Sequence, residues 1–362
     1  MIKWRYITSE CESASHALAA DEYLMSRYEN WMENNYPEPV LRIYSMKPHS
    51  VLIGRFQNPE AEVDLDECRR LGIPVNRRMT GGGAVMMGEQ QLMVSIPSSI
   101  EHPLLPVNPL RILPKLARGI INGLALLGIN AEYRPKNDIV VNGRKISGTA
   151  ICIEETRTFL YHATLLIDFD VPLMMRVLKI HPEKASDKGV ALLAERLTTI
   201  SRELDAPISI SDVKDAICRG FEQTFKIQTV NMPFTKDELD QIKIIENKKY
   251  STFEWINQRI PAHDMVGEFV MKAPAGLIHT YAALSGNVIK SVLITGDFFS
   301  DDKHINDIEA VLKWNKSDKE SITNAISVVM SDKIDSIYGL SAEELGLAVY
   351  KAAANARIIK TP

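Results

Sequence analysis

Apolar residues recur at helical spacing through Ala17, Ala20, Leu24, Tyr28 and Trp31, which predicts a helix from about Ser13 to Trp31. The runs Val40–Met46 and Ser50–Gly54 read as strands joined by a tight turn at Lys47-Pro48-His49. Pro59 to Leu71 predicts a helix, with proline near its start and Gly72 just past its end. Leu110, Leu113, Leu116, Ile120, Leu124 and Leu127 mark a longer helix closed by Gly128, with Pro114 as a candidate kink. Asn142-Gly143, between two strand-like runs, signals a hairpin, and Thr158–Asp168 reads as a further strand. Helical spacing dominates from Val171 to about Asn247, with short breaks. Beyond Trp255 the period changes. Glu268–Lys272, Leu277–Leu284 and Val288–Gly296 predict a small sheet, followed by helices through Ile308–Trp314, Ser321–Met330 and Ser341–Ala353.

A chain of 362 residues exceeds what one hydrophobic core usually serves, so two domains are expected. The boundary falls in the polar stretch Glu246–Thr252, giving a domain over 1–249 and a second over 250–362. Hydrophobic residues at 45% and charged residues at 24% place the chain among soluble globular proteins. The net charge of -4 gives no general attraction to nucleic acid or anionic membrane. Cys11, Cys68, Cys152 and Cys218 are scattered, with no CxxC pair, which argues against a disulfide framework or a zinc site. The first ten residues are too polar for a signal peptide, and no window is apolar enough to span a membrane. A monomer in a reducing cytoplasm is the expectation.

Two stretches carry candidate chemistry. In RRMTGGGAVMMG, Arg77–Gly88, three consecutive glycines offer backbone freedom and close approach, and their N–H groups can cradle phosphate or carboxylate oxygens. Arg77 and Arg78 beside them add fixed charge and bidentate donors. No Gly-Lys-Ser/Thr follows, and the spacing is not GxGxxG, which disfavours a Walker loop and a dinucleotide fold. In Lys136–Ala150, KNDIVVNGRKISGTA, the hairpin turn places Arg144 and Lys145 at its mouth, with Asp138 at the start of the first strand. On these residues alone Lys145 reads as a surface lysine beside a hairpin turn; were a carboxylate to be joined to the α-phosphate of ATP, a lysine touching both anions would lower the barrier.

Taken in order, RRxTGGGAV, NDIxVNGRKISGxA and LYHATLL resemble the lipoate–protein ligase family. Gly54–Pro59 (GRFQNP) fits that family's GRxQN stretch, and Lys188–Ile200 is similar to its region after the lipoate pocket. Phe253–Gln258 and Leu293–Phe299 resemble features of its accessory C-terminal domain. The resemblance implies an α+β fold: a large domain with a mixed, mainly antiparallel sheet flanked by helices, plus a small α+β domain. It implies an enzyme that takes lipoate and ATP with Mg²⁺ and modifies a lysine of a lipoyl-carrier domain. Candidate carriers are the acyltransferase subunit of a 2-oxoacid dehydrogenase or a glycine cleavage H protein. By the same likeness, Arg78, Gly81, Gly82, Gly83, Ala84, Val85, Met86, Asp138 and Ala150 would bind the adenylate. Lys145 would contact both carboxylate and α-phosphate as the catalytic residue, and Asp138 would stand near the metal. Gly83, Lys145, Gly148, His162 and Thr164 would line the lipoyl site, His162 as wall rather than base.

The chain departs from the pattern at the pocket. Met87-Gly88 replace the usual His-Asp, Gln90-Gln91 the usual Gly-Asn, and Tyr161-His162-Ala163 the usual His-His-Gly. These changes bear on the preferred acid and on the nucleotide contacts. Related acyltransferases work through a cysteine shortly before the NDIVVNG stretch, but residues 129–138 contain none. Cys152, in an apolar strand, reads as a small buried residue rather than a nucleophile. The same residues also suit a lipoyl or octanoyl transferase without its own adenylation step, or a lipoyl-binding protein without turnover.

Overall fold

Eight strands of the larger region assemble into one mixed sheet, running from Ile227–Asn231 at one edge through Ile2–Glu12, Val40–Met46, Gln91–Ser99, Thr158–Leu166, Arg144–Ile153 and Asp138–Val141 to Glu132–Arg134 at the other. The computed structural model describes residues 2–29, 39–102, 109–135, 137–179, 195–331, 337 and 339–359. The strands are β1 (Ile2–Glu12), β2 (Val40–Met46), β3 (Ser50–Ile53), β4 (Val75–Arg77), β5 (Val85–Met87), β6 (Gln91–Ser99), β7 (Glu132–Arg134) and β8 (Asp138–Val141). They continue with β9 (Arg144–Ile153), β10 (Thr158–Leu166), β11 (Ile227–Asn231), β12 (Gly267–Ala273), β13 (Gly276–Ser285) and β14 (Val288–Gly296). Only β11-β1 and β1-β2 are parallel in the large sheet, so it is mixed and mainly antiparallel, as the resemblance implies.

Helices Pro109–Leu126 and Ile210–Phe225 cover one face, packing on Tyr161, Ala163 and Leu165 of β10. They approach closely because glycines meet at the crossing: a Cβ on Gly220 would lie 2.3 Å from the Gly119 carbonyl oxygen. Helix Ala14–Ser26, capped by Ser13, lies on the other face. The hairpin at Asn142-Gly143 forms with both residues at positive φ, 50° and 76°, the conformation that favours this dipeptide.

Several sequence expectations need correction. β2 and β3 both form, but they do not pair: β2 joins the large sheet, while β3 sits between β4 and β5 in a separate three-stranded sheet. The helix over Pro59–Leu71 is two, Pro59–Glu62 and Leu65–Leu71, because Val63 is extended and Asp64 caps a fresh start by accepting from the Glu67 N–H. The helical stretch from Val171 to Asn247 is interrupted by β11. Lys226 takes a left-handed conformation (φ 54°) and turns the chain onto the sheet edge, where Ile227 alone is buried and no alternation announces a strand. β1 was not expected either. The Glu246–Thr252 stretch holds a π-helical turn, Glu246–Tyr250, with Tyr250 buried and hydrogen-bonded to Glu22. Trp31, Lys136, the side chain of Leu110 and most of Lys188–Ile200 lie outside the described residues.

The small domain is the antiparallel sheet β12-β13-β14 with helices Asp302–Leu312, Lys319–Ser331 and Ala342–Ile359 around a core of Ile278, Ile294, Ile305 and Val349. It rests on the GRFQN stretch of the large domain. Phe56 stacks on Phe298 at 5.0 Å between ring centres, and the Gly296 N–H donates to the Phe56 carbonyl. Asn58 donates to the Tyr281 hydroxyl, and Arg55 ion-pairs with Asp302.

Candidate active site

Strand register builds the floor of one cavity. Gly148 and Ala150 of β9 stand opposite Thr164 and His162 of β10, and Thr164 stands opposite Met93 of β6. Alternation puts all of these on the face away from Tyr161, Ala163 and Leu165. A cavity of about 240 Å³ opens above them, roofed by Gly82–Met87 and walled by Leu166, Phe169, Met174, Leu178 and Leu197. Its lining is mostly apolar, with Arg78, Lys145, Asn137, Thr149 and Thr164 as the polar exceptions apart from His162.

The glycine loop is held from beneath by Arg78. The guanidinium is buried and donates to the carbonyls of Leu52, Gly81 and Gly83 and to the Thr80 hydroxyl. No carboxylate among the described residues pairs with it, and burial alone pushes it down to about 10. It is therefore a buried cation on a cavity wall, held by neutral dipoles. Arg77 is used differently: it fans onto the carbonyls of Gly54, Arg55, Gln57, Trp255 and Ile256, binding the glycine-loop strand to the small-domain approach. Gly54 must be glycine, since a Cβ there would lie 1.9 Å from the Gly82 carbonyl oxygen.

At the cavity mouth the Lys145 ammonium sits 2.8 Å from Asp138 Oδ1, with its side chain 35% exposed. Burial alone would raise the Asp138 carboxyl, but the Lys145 charge and hydrogen bond, with Arg134 beside it, outweigh burial and hold it below its ordinary value. The Lys145 backbone is clipped to the Arg196–Thr198 segment: its N–H donates to Arg196 O at 2.7 Å and its carbonyl accepts from Thr198 at 2.9 Å. Arg144 pairs with Glu203 rather than facing the cavity. Of the two Asp138 oxygens, one pairs with Lys145 at 2.8 Å and the other with Arg134 at 2.7 Å. Among the described residues no group of three His, Cys, Asp or Glu stands at metal-binding spacing.

His162 lines the cavity and is buried. Its Nε2 lies 2.8 Å from Asp21 Oδ2 and its Nδ1 3.3 Å from Thr80 Oγ. Asp21 also accepts from Arg42, Tyr44 and Ser95. Burial pushes the Asp21 carboxyl up, and the Arg42 charge with the His162 and Tyr44 hydrogen bonds reverses this, leaving it far below the carboxylate range. An ionised Asp21 can only accept, so His162 Nε2 carries hydrogen. Both nitrogens are committed, and the ring is wall. Cys152 packs against Met25 and Leu160 away from the cavity, and burial pushes its thiol well up.

Of the predicted site residues, Arg78, Gly82, Gly83, Ala84, Val85, Met86, Lys145, Gly148, Ala150, His162 and Thr164 come together on this cavity. Gly81 and Asp138 do not line it. Gly81 is pressed against the small domain, where a Cβ would lie 2.4 Å from the Phe298 carbonyl oxygen, and Asp138 reaches the site only through Lys145. Met87 does line it, next to Met86 and Met93, so the departure from His-Asp adds methionine to the wall. Asn137, which donates to the Thr149 carbonyl, and Asp21 went unnoticed in the sequence. A signal for Asp21 existed: it falls on the same helical stripe as Ala17 and Leu24, and an acid on a buried stripe asks for a partner.

The lipoyl protein ligase A/B catalytic domain matches residues 13–222, and the bacterial lipoate protein ligase C-terminus matches residues 268–346. An octanoyltransferase (LipM) of Carboxydothermus hydrogenoformans is 30% identical over 272 residues, 71% of this chain and 99% of the relative. Lipoate–protein ligase 1 of Staphylococcus aureus is 28% identical over 309 residues, 85% of this chain and 90% of the relative. A crystal structure of lipoate-protein ligase A bound with ATP superposes with a TM-score of 0.60 at 29% identity, covering 70% of this chain and 98% of that one. The catalytic-domain match covers more than half of the chain and the second match follows it: the chain belongs to the lipoate–protein ligase family, as a member with the C-terminal domain.

Proposed function

We propose that this protein is an ATP-dependent lipoate–protein ligase. The observation that carries the reading is the pairing of Arg78 and Lys145, two cations on one mainly apolar cavity that no cysteine lines. The apolar walls suit a medium-chain acid, with the carboxylate drawn to Lys145 and the phosphates to Arg78 and the glycine N–H groups. The carboxylate oxygen attacks the α-phosphorus of ATP, and pyrophosphate leaves with its bond electrons. Lys145 shields the two anions as they meet; any Mg²⁺ would arrive with the phosphates. The neutral ε-amine of a carrier lysine then attacks the acyl carbon of the mixed anhydride. AMP leaves, and the amine loses a proton. Residues 250–362 act as the accessory domain, bearing on the glycine loop at Gly81. The carrier is a lipoyl domain of a 2-oxoacid dehydrogenase or an H protein.

The octanoyltransferase relative favours a second reading, transfer from an acyl donor without adenylation. From a carrier-bound acyl group that chemistry works through an activated thiol, whereas from a preformed adenylate the carrier amine attacks directly. Cys152 is buried with its thiol pushed up, which weighs against the thiol route. To decide, purified protein is given lipoate, Mg²⁺ and ATP without a carrier. The ligase releases pyrophosphate and holds lipoyl-AMP; a transferase or a binding protein releases none.

A further inference from the structure

A chain of buried polar contacts runs from the large sheet to the glycine loop. Asp21 holds His162 Nε2 at 2.8 Å, and His162 Nδ1 faces Thr80 Oγ at 3.3 Å. Thr80 Oγ in turn receives Arg78 Nε at 3.2 Å, and Arg78 Nη2 holds the carbonyls of Gly81 and Gly83 at 2.9 and 2.8 Å. Thr80 is fully buried and does not line the cavity, whereas Arg78 and Gly82, two residues to either side of it, do. The Thr80 hydroxyl thus accepts from the Arg78 Nε–H on one side and meets His162 Nδ1 on the other, so one oxygen joins the two side chains.

We infer that Thr80 is a positioning residue, which fixes the Arg78 fork beneath the glycine loop by anchoring it to the acyl wall at His162. This rests on the ligase reading of the cavity. Without the hydroxyl, the Arg78 Nε–H is buried and unsatisfied, so the guanidinium must turn and release one or both glycine carbonyls. His162 keeps its bond to Asp21 and stays in the wall. Loss of Thr80 therefore damages the nucleotide side of the reaction and spares the acid side.

The test is Thr80→Val, nearly isosteric, beside Thr80→Ser, which restores the hydroxyl. Lipoate affinity is read by calorimetry, and kcat and KM for ATP by carrier-free pyrophosphate release. The valine variant is expected to bind lipoate within about threefold of wild type and to lose roughly tenfold or more in kcat/KM for ATP. The serine variant should stay within about threefold in both. If the valine variant does not fold, Thr80→Ala is read against the same thresholds. Unchanged kcat/KM for ATP, an equal loss on lipoate, or no rescue by serine overturns the positioning role alone. A wild type that binds lipoate but never releases pyrophosphate overturns the ligase reading and this inference with it.

Discussion

Gly148→Ala isolates the position of Lys145. A Cβ at residue 148 would lie 2.7 Å from Lys145 Nζ and 2.8 Å from its Cε, and 3.7 Å from Thr164 Oγ. Ordinary contact needs about 3.4–4 Å, so the ammonium must retreat by roughly 1 Å, while nothing rigid stands in the way. Gly148 is not in a left-handed conformation, so the backbone accepts alanine, and the narrower unfolded ensemble contributes about 0.4–1 kcal/mol in favour of folding. Misplacement by about 1 Å of a group that meets the reacting atoms costs on the order of 100-fold. Expected, then, are a melting temperature equal to or slightly above wild type and a fall of about 100-fold in pyrophosphate release. Lys145→Ala serves as the reference: its exposed pair with Asp138 contributes about 0–1 kcal/mol to stability, and its loss should cost about 100- to 1,000-fold in rate. Turnover by Gly148→Ala within threefold of wild type would refute the assignment of Lys145, because the methyl cannot be placed without moving it.

Two further outcomes follow from the same geometry. Gly81→Ala puts a Cβ 2.4 Å from the Phe298 carbonyl oxygen, a backbone atom that cannot rotate away, so urea denaturation should show a loss of about 1–3 kcal/mol; no change would mean the two domains do not meet there as described. Asp21, whose folded-state pKa lies far below the unfolded value of about 4, contributes stability present above that value and lost as pH falls. Asp21→Asn should be less stable at pH 7, by about 3–5 kcal/mol, and lose less on acidification below about pH 4; a curve parallel to wild type would contradict the ionised, paired Asp21.

What the sequence made legible was chemistry with a local signature. The Asn142-Gly143 turn and the glycine run declare themselves within a few residues, Lys145 stands out only through the resemblance of the whole, and the register of β9 with β10 brings Gly148, Ala150, His162 and Thr164 onto one face. Partnerships between distant positions were not legible. Asp21 lies 141 residues from His162, and Arg5 forms its buried pair with Glu238 across 233 residues; neither pattern repeats locally. Arg77 and Arg78 look alike in sequence, yet one faces backbone carbonyls at the domain junction and the other the cavity, a difference set by strand alternation at β4. β11 was hidden because an edge strand with one buried residue has no periodic signal to offer.

The central claim is that a carboxylate of lipoate becomes bonded to the α-phosphorus of ATP in this cavity, and an isotope follows that bond directly. Lipoate carrying ¹⁸O in both carboxylate positions is supplied with ATP, Mg²⁺ and a lipoyl domain, and the AMP released is examined by mass spectrometry. Attack of the carboxylate on phosphorus and later cleavage by the carrier amine leave one labelled oxygen on AMP and one in the new amide. Singly labelled AMP is expected in equal amount to lipoylated carrier. Lipoylated carrier formed with unlabelled AMP, or with no AMP at all, would contradict it.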